Sequence, residues 1–134
     1  MKSLEPYTKK WYDSLKNGKI LGVKCKRCGG YEFPPVPICN TCSCTEMEWV
    51  EMSGEGELFS FAFSGMGVYP YTDEPVFCGY FKLDEGPEFV SWLLDADFKP
   101  ASQEELLKQM PIRVKAEIKE LDENVNWPVF RIAK

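Results

Sequence analysis

The sequence predicts a mainly β protein, in which a short N-terminal helix and a cysteine-rich metal ribbon precede a small five-stranded barrel. Two Cys-x-x-Cys pairs lie in a stretch that is too irregular to bury a core of its own, so something other than packing must hold it together. Further along the chain, short apolar strand patterns follow one another and are interrupted by one helical pattern. We therefore divide the chain into an N-terminal helix (1–18), a zinc ribbon (19–52) and a barrel domain (53–134).

Composition narrows the functions that this chain can perform alone. Its 134 residues are 44% hydrophobic, enough for a packed core, and include no histidine, which excludes Ser-His and Cys-His nucleophile pairs. The net charge of −5 hides an asymmetry, because residues 1–45 carry +5 and residues 46–134 carry −10. With no membrane-length apolar run and no signal sequence, we expect a cytoplasmic protein without a membrane partner.

The first predicted element is a helix near the N-terminus. Four apolar residues recur there at spacings of three and four, namely Leu4, Tyr7, Trp11 and Leu15. Asn17-Gly18 is a plausible end for this helix. The apolar stripe indicates either a helix packed on its own domain or a docking surface centred on Tyr7 and Trp11.

Two cysteine pairs predict a metal site. Ten residues separate them, and their members are Cys25, Cys28, Cys39 and Cys42. Each pair allows a tight turn to aim two sulfur atoms at one ion, and four thiolates close the coordination shell, so we predict one structural Zn²⁺. A single iron ion is the alternative. Cys44 offers another thiol, but a Cys-x-Cys pair makes a poorer two-thiolate turn, so Cys42 is kept as the ligand.

Three strands are predicted at the start of the barrel, at 57–64, 76–83 and 89–94. The first alternates in a way that places Phe59, Phe61 and Phe63 together on one face. The second contains Cys78, which we interpret as a small buried apolar residue.

One helix and two strands complete the predicted barrel. Ser102 and Glu105 form a capping-box pattern for a helix over 102–110. Strict alternation in the next strand predicts four core-facing residues, Ile112, Val114, Ala116 and Ile118. A last strand is predicted at 129–132. Three strands, a helix and two strands is the order of the OB-fold barrel, and a generic five-stranded barrel or sandwich is the alternative.

Motifs along nearly the whole chain add a family resemblance. Besides the cysteines they are Phe33-Pro34-Pro35, Ser53-Gly54-Glu55-Gly56 and Pro111-Ile112-Arg113-Val114. Together they resemble small bacterial and archaeal proteins that have an N-terminal helix, a rubredoxin-like zinc ribbon and an OB fold associated with acyl-CoA metabolism. Val36 departs from the Arg that this family often has after the two prolines. Asn40 and Ser43 stand where it often has Pro and Gly.

The resemblance implies a non-catalytic accessory subunit of a thiolase or related condensing enzyme, which helps to form or bridge its CoA-thioester site. Because a thiolase needs a histidine base, the partner would perform the chemistry. Some relatives serve thiolases that act on aromatic acyl-CoA intermediates, as in anaerobic toluene breakdown. CoA or acyl-CoA would be shared with the partner, and Lys24, Lys26 and Arg27, which flank the first metal turn, are the candidates for binding its phosphates.

Two other functions are left open by the sequence. OB folds and zinc ribbons also occur in nucleic-acid-binding modules, but residues 46–134, which include the predicted barrel, carry a net charge of −10, which repels phosphate. We therefore expect no nucleic-acid partner. The other alternative is a stand-alone acyl-CoA-binding protein or hydrolase, which would bind CoA without a protein partner.

Overall fold

A computed structural model describes residues 5–65, 67 and 70–133 of the chain. The elements are, in chain order, α1 (Pro6–Lys16), β1 (Leu21–Cys25), β2 (Tyr31–Glu32), β3 (Met47–Glu51), β4 (Glu55–Ser64), β5 (Val76–Leu83), β6 (Glu88–Leu93), α2 (Pro100–Gln109), β7 (Ile112–Glu120) and β8 (Asn126–Ile132). In the part of the chain that is described, no helix has the length and apolar character needed to cross a membrane.

Helix α1 packs on the rest of the chain through its apolar stripe. Its N-terminus is capped by the Glu5 carboxylate, which accepts hydrogen bonds from the backbone N–H groups of Tyr7 and Thr8. The helix ends at Asn17-Gly18 as predicted, whereas Leu4 lies outside the described residues. Trp11 is only 5% exposed, so its interpretation as an exposed docking residue is wrong.

The ribbon is a three-stranded antiparallel sheet in the order β2-β1-β3. Strand β1 lies in the middle and pairs with both neighbours. It ends at Cys25, and the loops that carry the other cysteines of the two pairs follow β1 and β2. The sheet therefore positions the first metal turn directly at a strand end.

Strands β4 to β8 form a closed barrel in the order β4-β5-β6-β8-β7, and β7 pairs with β4 to close it. All pairs are antiparallel except β6 with β8. Helix α2 lies between β6 and β7 in the chain, so the predicted OB-fold order is confirmed. Strand β7 has the predicted register, because Ile112 and Val114 are buried while Arg113 and Lys115 are exposed.

The face predicted for the three phenylalanines of β4 is wrong for Phe59, whereas Phe61 and Phe63 both contact the Phe77 ring. A bulge between Leu58 and Ser60 interrupts the alternation. Phe59 is therefore exposed and contacts Tyr80, while Phe61 packs against the hydrophobic core.

Two further predictions also need correction. Cys78 is half-buried rather than buried, because its neighbour Phe77 takes the core-facing position on β5. Helix α2 begins at Pro100, and its N-cap, Lys99, makes no side-chain capping hydrogen bond. The fixed φ of proline suits the first helical position, so Ser102 lies inside the helix and does not cap it.

One hydrophobic cluster runs through all three parts of the chain. It contains Trp11 and Leu15 of α1, Phe33 of the ribbon, and Phe89 and Phe130 of the barrel. The helix, the ribbon and the barrel thus share buried apolar contacts, and the division at 18/19 and 52/53 stays a prediction.

Candidate metal centre and apolar outer face

Four cysteine sulfur atoms come together at the end of β1. They belong to Cys25, Cys28, Cys39 and Cys42, and all lie within 4.8 Å of one another. The Sγ atoms of Cys25 and Cys42 are 3.5 Å apart, and those of Cys28 and Cys39 are 3.6 Å apart. These distances are far longer than the roughly 2.05 Å of a disulfide bond and close to the roughly 3.8 Å edge of a tetrahedron with Zn–S bonds of about 2.3 Å. The group can hold a metal ion.

Backbone N–H groups point at the sulfur atoms of the first pair. The N–H groups of Arg27 and Cys28 lie 3.4 and 3.5 Å from Cys25 Sγ, and that of Gly30 lies 3.4 Å from Cys28 Sγ. Gly29 has a φ of 77°, which closes this turn at little steric cost. The turn thus provides hydrogen-bond donors to anionic sulfur on both members of the pair.

The second pair is closed by Ser43, whose N–H donates to the carbonyl oxygen of Cys39 at 2.9 Å. Ser43 has a φ of 62°, a conformation that a glycine adopts more easily. Cys44 is not part of the group of four, and its sulfur accepts a hydrogen bond from the Glu46 N–H at 3.4 Å. The cluster therefore consists of the four cysteines that the sequence spacing singled out.

Hydrogen bonds favour the thiolate form at one sulfur atom of each cysteine pair. The N–H of Cys28 is the main cause that lowers the pKa of the Cys25 thiol to about 6, and the N–H of Cys42 lowers the pKa of Cys39. At Cys28 the Gly30 N–H favours the thiolate, but the neighbouring thiols and burial outweigh it and raise the pKa to about 12. Without a positive ion, four thiolates this close together would repel one another.

The three basic residues predicted for CoA phosphates lie beside the first cysteine turn. Lys24 is half-buried and its Nζ lies 5.4 Å from the centre of the Tyr31 ring. Lys26 and Arg27 are exposed in the turn itself. Their proposed role in binding CoA stays a prediction.

A second candidate surface, which the sequence did not reveal, is the outer face of β4, β5 and β6. Phe59, Tyr80 and Val90 are 41%, 40% and 54% exposed. Tyr80 lies opposite Val90 in the sheet, and its ring centre is 4.8 Å from that of Phe59. We call these three residues the apolar outer face. The sequence pattern did not predict this surface, because Phe59 is exposed only through the bulge between Leu58 and Ser60.

Comparisons with known proteins agree with this architecture. The family model described as "ChsH2, C-terminal OB-fold domain" matches residues 49–118. A "DUF35 domain-containing scaffold protein" of Pyrococcus furiosus is 28% identical over 120 residues, covering 85% of this chain and 81% of that protein. "Benzoylsuccinyl-CoA thiolase subunit BbsA" of Thauera aromatica is 36% identical over 66 residues, covering 49% of this chain and 45% of that protein.

The same fold is present in a solved structure. The "Ltp2-ChsH2(DUF35) aldolase" chain has a TM-score of 0.76 to this chain, with 22% identity and full coverage of both chains. Three of the curated relatives are considerably longer than the region they share with this chain, which covers 36%, 55% and 45% of them.

Proposed function

Because this chain belongs to the ChsH2 C-terminal OB-fold domain family, we propose that it is a non-catalytic, zinc-binding accessory subunit of a thiolase-type acyl-CoA acyltransferase complex. The observation that carries the proposal is the apolar outer face, on a chain whose relatives include a thiolase subunit and a scaffold protein. Because the sequence contains no histidine, we assign the catalytic base to the partner subunit.

The apolar outer face has the composition of a docking surface. Aromatic residues are enriched in protein interfaces, and here Phe59 and Tyr80 are already in contact with each other and adjoin Val90. The three side chains lie on the outer surface of paired strands of the barrel, so a partner would contact them through its own side chains. We assign it to the enzyme subunit.

The metal in this proposal is one structural Zn²⁺ held by the four clustered cysteines. Zinc accepts four thiolates in a tetrahedral arrangement and, with no open coordination position, acts as a cross-link rather than as a catalyst. It would tie the loop after β1 to the loop after β2. The ribbon contains Phe33, which packs into the shared core, so the cross-link also supports the contact between ribbon and barrel.

Acyl-CoA is the ligand class that the proposal implies, shared with the enzyme subunit. The benzoylsuccinyl-CoA thiolase subunit among the relatives makes an aromatic acyl group one candidate. Lys26 and Arg27 in the exposed turn, together with the half-buried Lys24 near the end of β1, would contact the CoA phosphates.

Co-purification and reconstitution test the proposal. The full chain, tagged and expressed in its native host, should retain a thiolase or condensing enzyme that mass spectrometry identifies. The recombinant enzyme should gain acyl-CoA activity when this chain is added, while this chain alone should turn over no acyl-CoA. A partner that is fully active by itself, or binding of single-stranded DNA by this chain at moderate salt, would contradict the proposal.

A further inference from the structure

A cleft lined by aromatic side chains lies between α1 and the barrel, apart from the cysteine cluster. Its volume is about 220 Å³, and its lining residues are Tyr12, Tyr71, Trp92, Leu121, Val125 and Trp127. We call it the aromatic cleft. Four of its six lining residues carry aromatic rings, and none carries a formal charge. An apolar cavity of about 150 Å³ already admits benzene, so this cleft has room for a larger planar ring.

Two walls of the aromatic cleft are fixed by packing. The Trp127 ring lies 5.5 Å from Trp11 and 5.9 Å from Phe89, both of which belong to the buried core. Tyr12 lies 5.4 Å from Trp11 and 6.4 Å from Trp127. Movement of the Trp127 ring would disturb these core contacts, so this side of the cleft is held in place by packing and need not be ordered by a ligand.

The opposite walls are Trp92 of β6 and Tyr71. Tyr71 is 36% exposed, so it can contact a ligand and can be replaced without loss of core packing. Tyr12 and Tyr71 also supply phenolic hydroxyl groups, which can exchange hydrogen bonds with the edge of a ring that contains heteroatoms.

Positive charge lies at the rim of the aromatic cleft. The Nζ of Lys119 is 5.2 Å from the centre of the Trp92 ring. Trp92 and Lys119 also line an adjoining cavity of about 210 Å³, in which Glu74 is the acidic residue. A cage of aromatic rings can hold a quaternary ammonium group, but Lys119 would repel such a cation. An anionic substituent on the ligand would instead pair with Lys119.

We propose that the aromatic cleft binds a planar aromatic ring that carries an anionic group, with the ring against Trp127 on one side and Trp92 and Tyr71 on the other, and with the anion near Lys119. This inference deepens the proposed function and rests on it for the choice of ligands. An aromatic acyl-CoA offers this chemistry twice, in the adenine base with its phosphates and in an aryl acyl group that bears a carboxylate.

Titrations of the full zinc-loaded chain test the cleft and distinguish the two sources. Tryptophan fluorescence and calorimetry are followed with adenosine 3′,5′-bisphosphate, phenylsuccinate, 4′-phosphopantetheine and tetramethylammonium. We expect saturable binding of at least one of the first two, and the one that binds more tightly identifies the source of the ring. The proposal would be overturned if 4′-phosphopantetheine or tetramethylammonium bound at least as tightly as the aromatic ligands. It would also be overturned if neither adenosine 3′,5′-bisphosphate nor phenylsuccinate bound.

Matched variants separate the cleft from other exposed rings. Tyr71→Ala should weaken binding of the ring between about fivefold and 150-fold, the range measured for loss of one stacking partner. Tyr80→Ala removes an equally exposed tyrosine from the apolar outer face, and it should leave the affinity of the isolated chain unchanged. Lys119→Gln should weaken binding of the anionic ring more than binding of its neutral counterpart, adenosine or phenylacetamide. Equal affinities for the parent and the Tyr71→Ala variant would overturn the proposal.

Failure of ring binding in the aromatic cleft can be distinguished from failure of the proposed accessory-subunit function. Assembly with the enzyme subunit is measured by size on a column and does not depend on ring binding. A chain that assembles but binds no ring refutes only the aromatic cleft. A chain that binds the ring but neither assembles with nor activates an enzyme refutes only the accessory-subunit role.

Discussion

The ring of Phe33, which belongs to the ribbon, lies 4.9 Å from the ring of Phe89 in the barrel, and the two planes meet at 68°. Phe33 also contacts Trp11 of α1 at 5.9 Å, again edge to face. Edge-to-face pairs stabilise beyond the area they bury. The Phe33-Pro34-Pro35 motif therefore has a packing role, because its aromatic residue joins helix, ribbon and barrel.

Replacing this residue tests that role. Phe33→Ala should lower the free energy of unfolding by about 3–5 kcal/mol, because it leaves a cavity between three elements. Urea unfolding of the zinc-loaded protein measures the change. Ile38→Ala is the matched control, since Ile38 is an exposed apolar residue of the same ribbon and its loss should change stability by no more than about 0.5 kcal/mol. Equal effects of the two substitutions would contradict the anchoring role.

The metal prediction concerns zinc content. The purified protein should carry about one zinc ion per chain, with Zn–S distances near 2.3 Å by X-ray absorption spectroscopy. Cys25→Ser and Cys39→Ser should lose the metal and lower the melting temperature, because each removes one of four ligands.

Cys44→Ser and Cys78→Ser are the controls for the zinc prediction and should retain the metal, since neither sulfur belongs to the group of four. Elemental analysis by mass spectrometry gives the stoichiometry. A red, iron-containing protein from metal-replete cells would show that the zinc assignment is wrong.

A third prediction concerns acid stability. Arg113 makes two hydrogen bonds of 2.7 Å to the Asp84 carboxylate, and they hold the pKa of Asp84 below its ordinary value. A carboxyl group whose pKa is lowered in the folded state stabilises the protein above its unfolded pKa of about 3.9, and the contribution is lost as the pH falls through the folded pKa.

Asp84→Asn should therefore be less stable than the parent at pH 6, and the difference should shrink below about pH 4. Parallel urea unfolding at several pH values measures it, and zinc loss at low pH affects both proteins alike. Arg113→Lys keeps the positive charge but loses the paired geometry, so it should be intermediate at pH 6. A difference that stayed constant down to pH 3 would contradict the role of this pair.

The fourth prediction concerns assembly with the enzyme subunit. Val90→Lys and Phe59→Ser should weaken the complex at least about tenfold, because they place polar groups in its apolar contact. Leu107→Lys is the control, since Leu107 is an exposed apolar residue on α2, outside the apolar outer face. Zinc content and melting temperature should be unchanged in all three variants. If the Val90→Lys variant formed a complex as stable as that of the parent chain, this face would be excluded as the contact surface.

Deleting residues 1–18 would not be a clean test of assembly, because it removes Trp11 from the core.

Local patterns in the sequence determined the order of elements and the cysteine set. The alternation of 112–119 matched β7, because a strand with one buried face repeats every two residues whatever surrounds it. The cysteine spacing singled out four residues that come together, because a turn of fixed length places two sulfur atoms side by side. The sequence of strands and the single helix then indicated the OB-fold barrel.

Only the tertiary structure decided which side chains are exposed where long-range contacts compete with local patterns. One bulge moved Phe59 to the outside, and packing against α1, ribbon and barrel buried Trp11. The aromatic cleft draws Tyr12, Tyr71, Trp92 and Trp127 from four separate segments. No spacing along the chain predicts this arrangement, because barrel closure and core packing bring together segments that are distant in sequence.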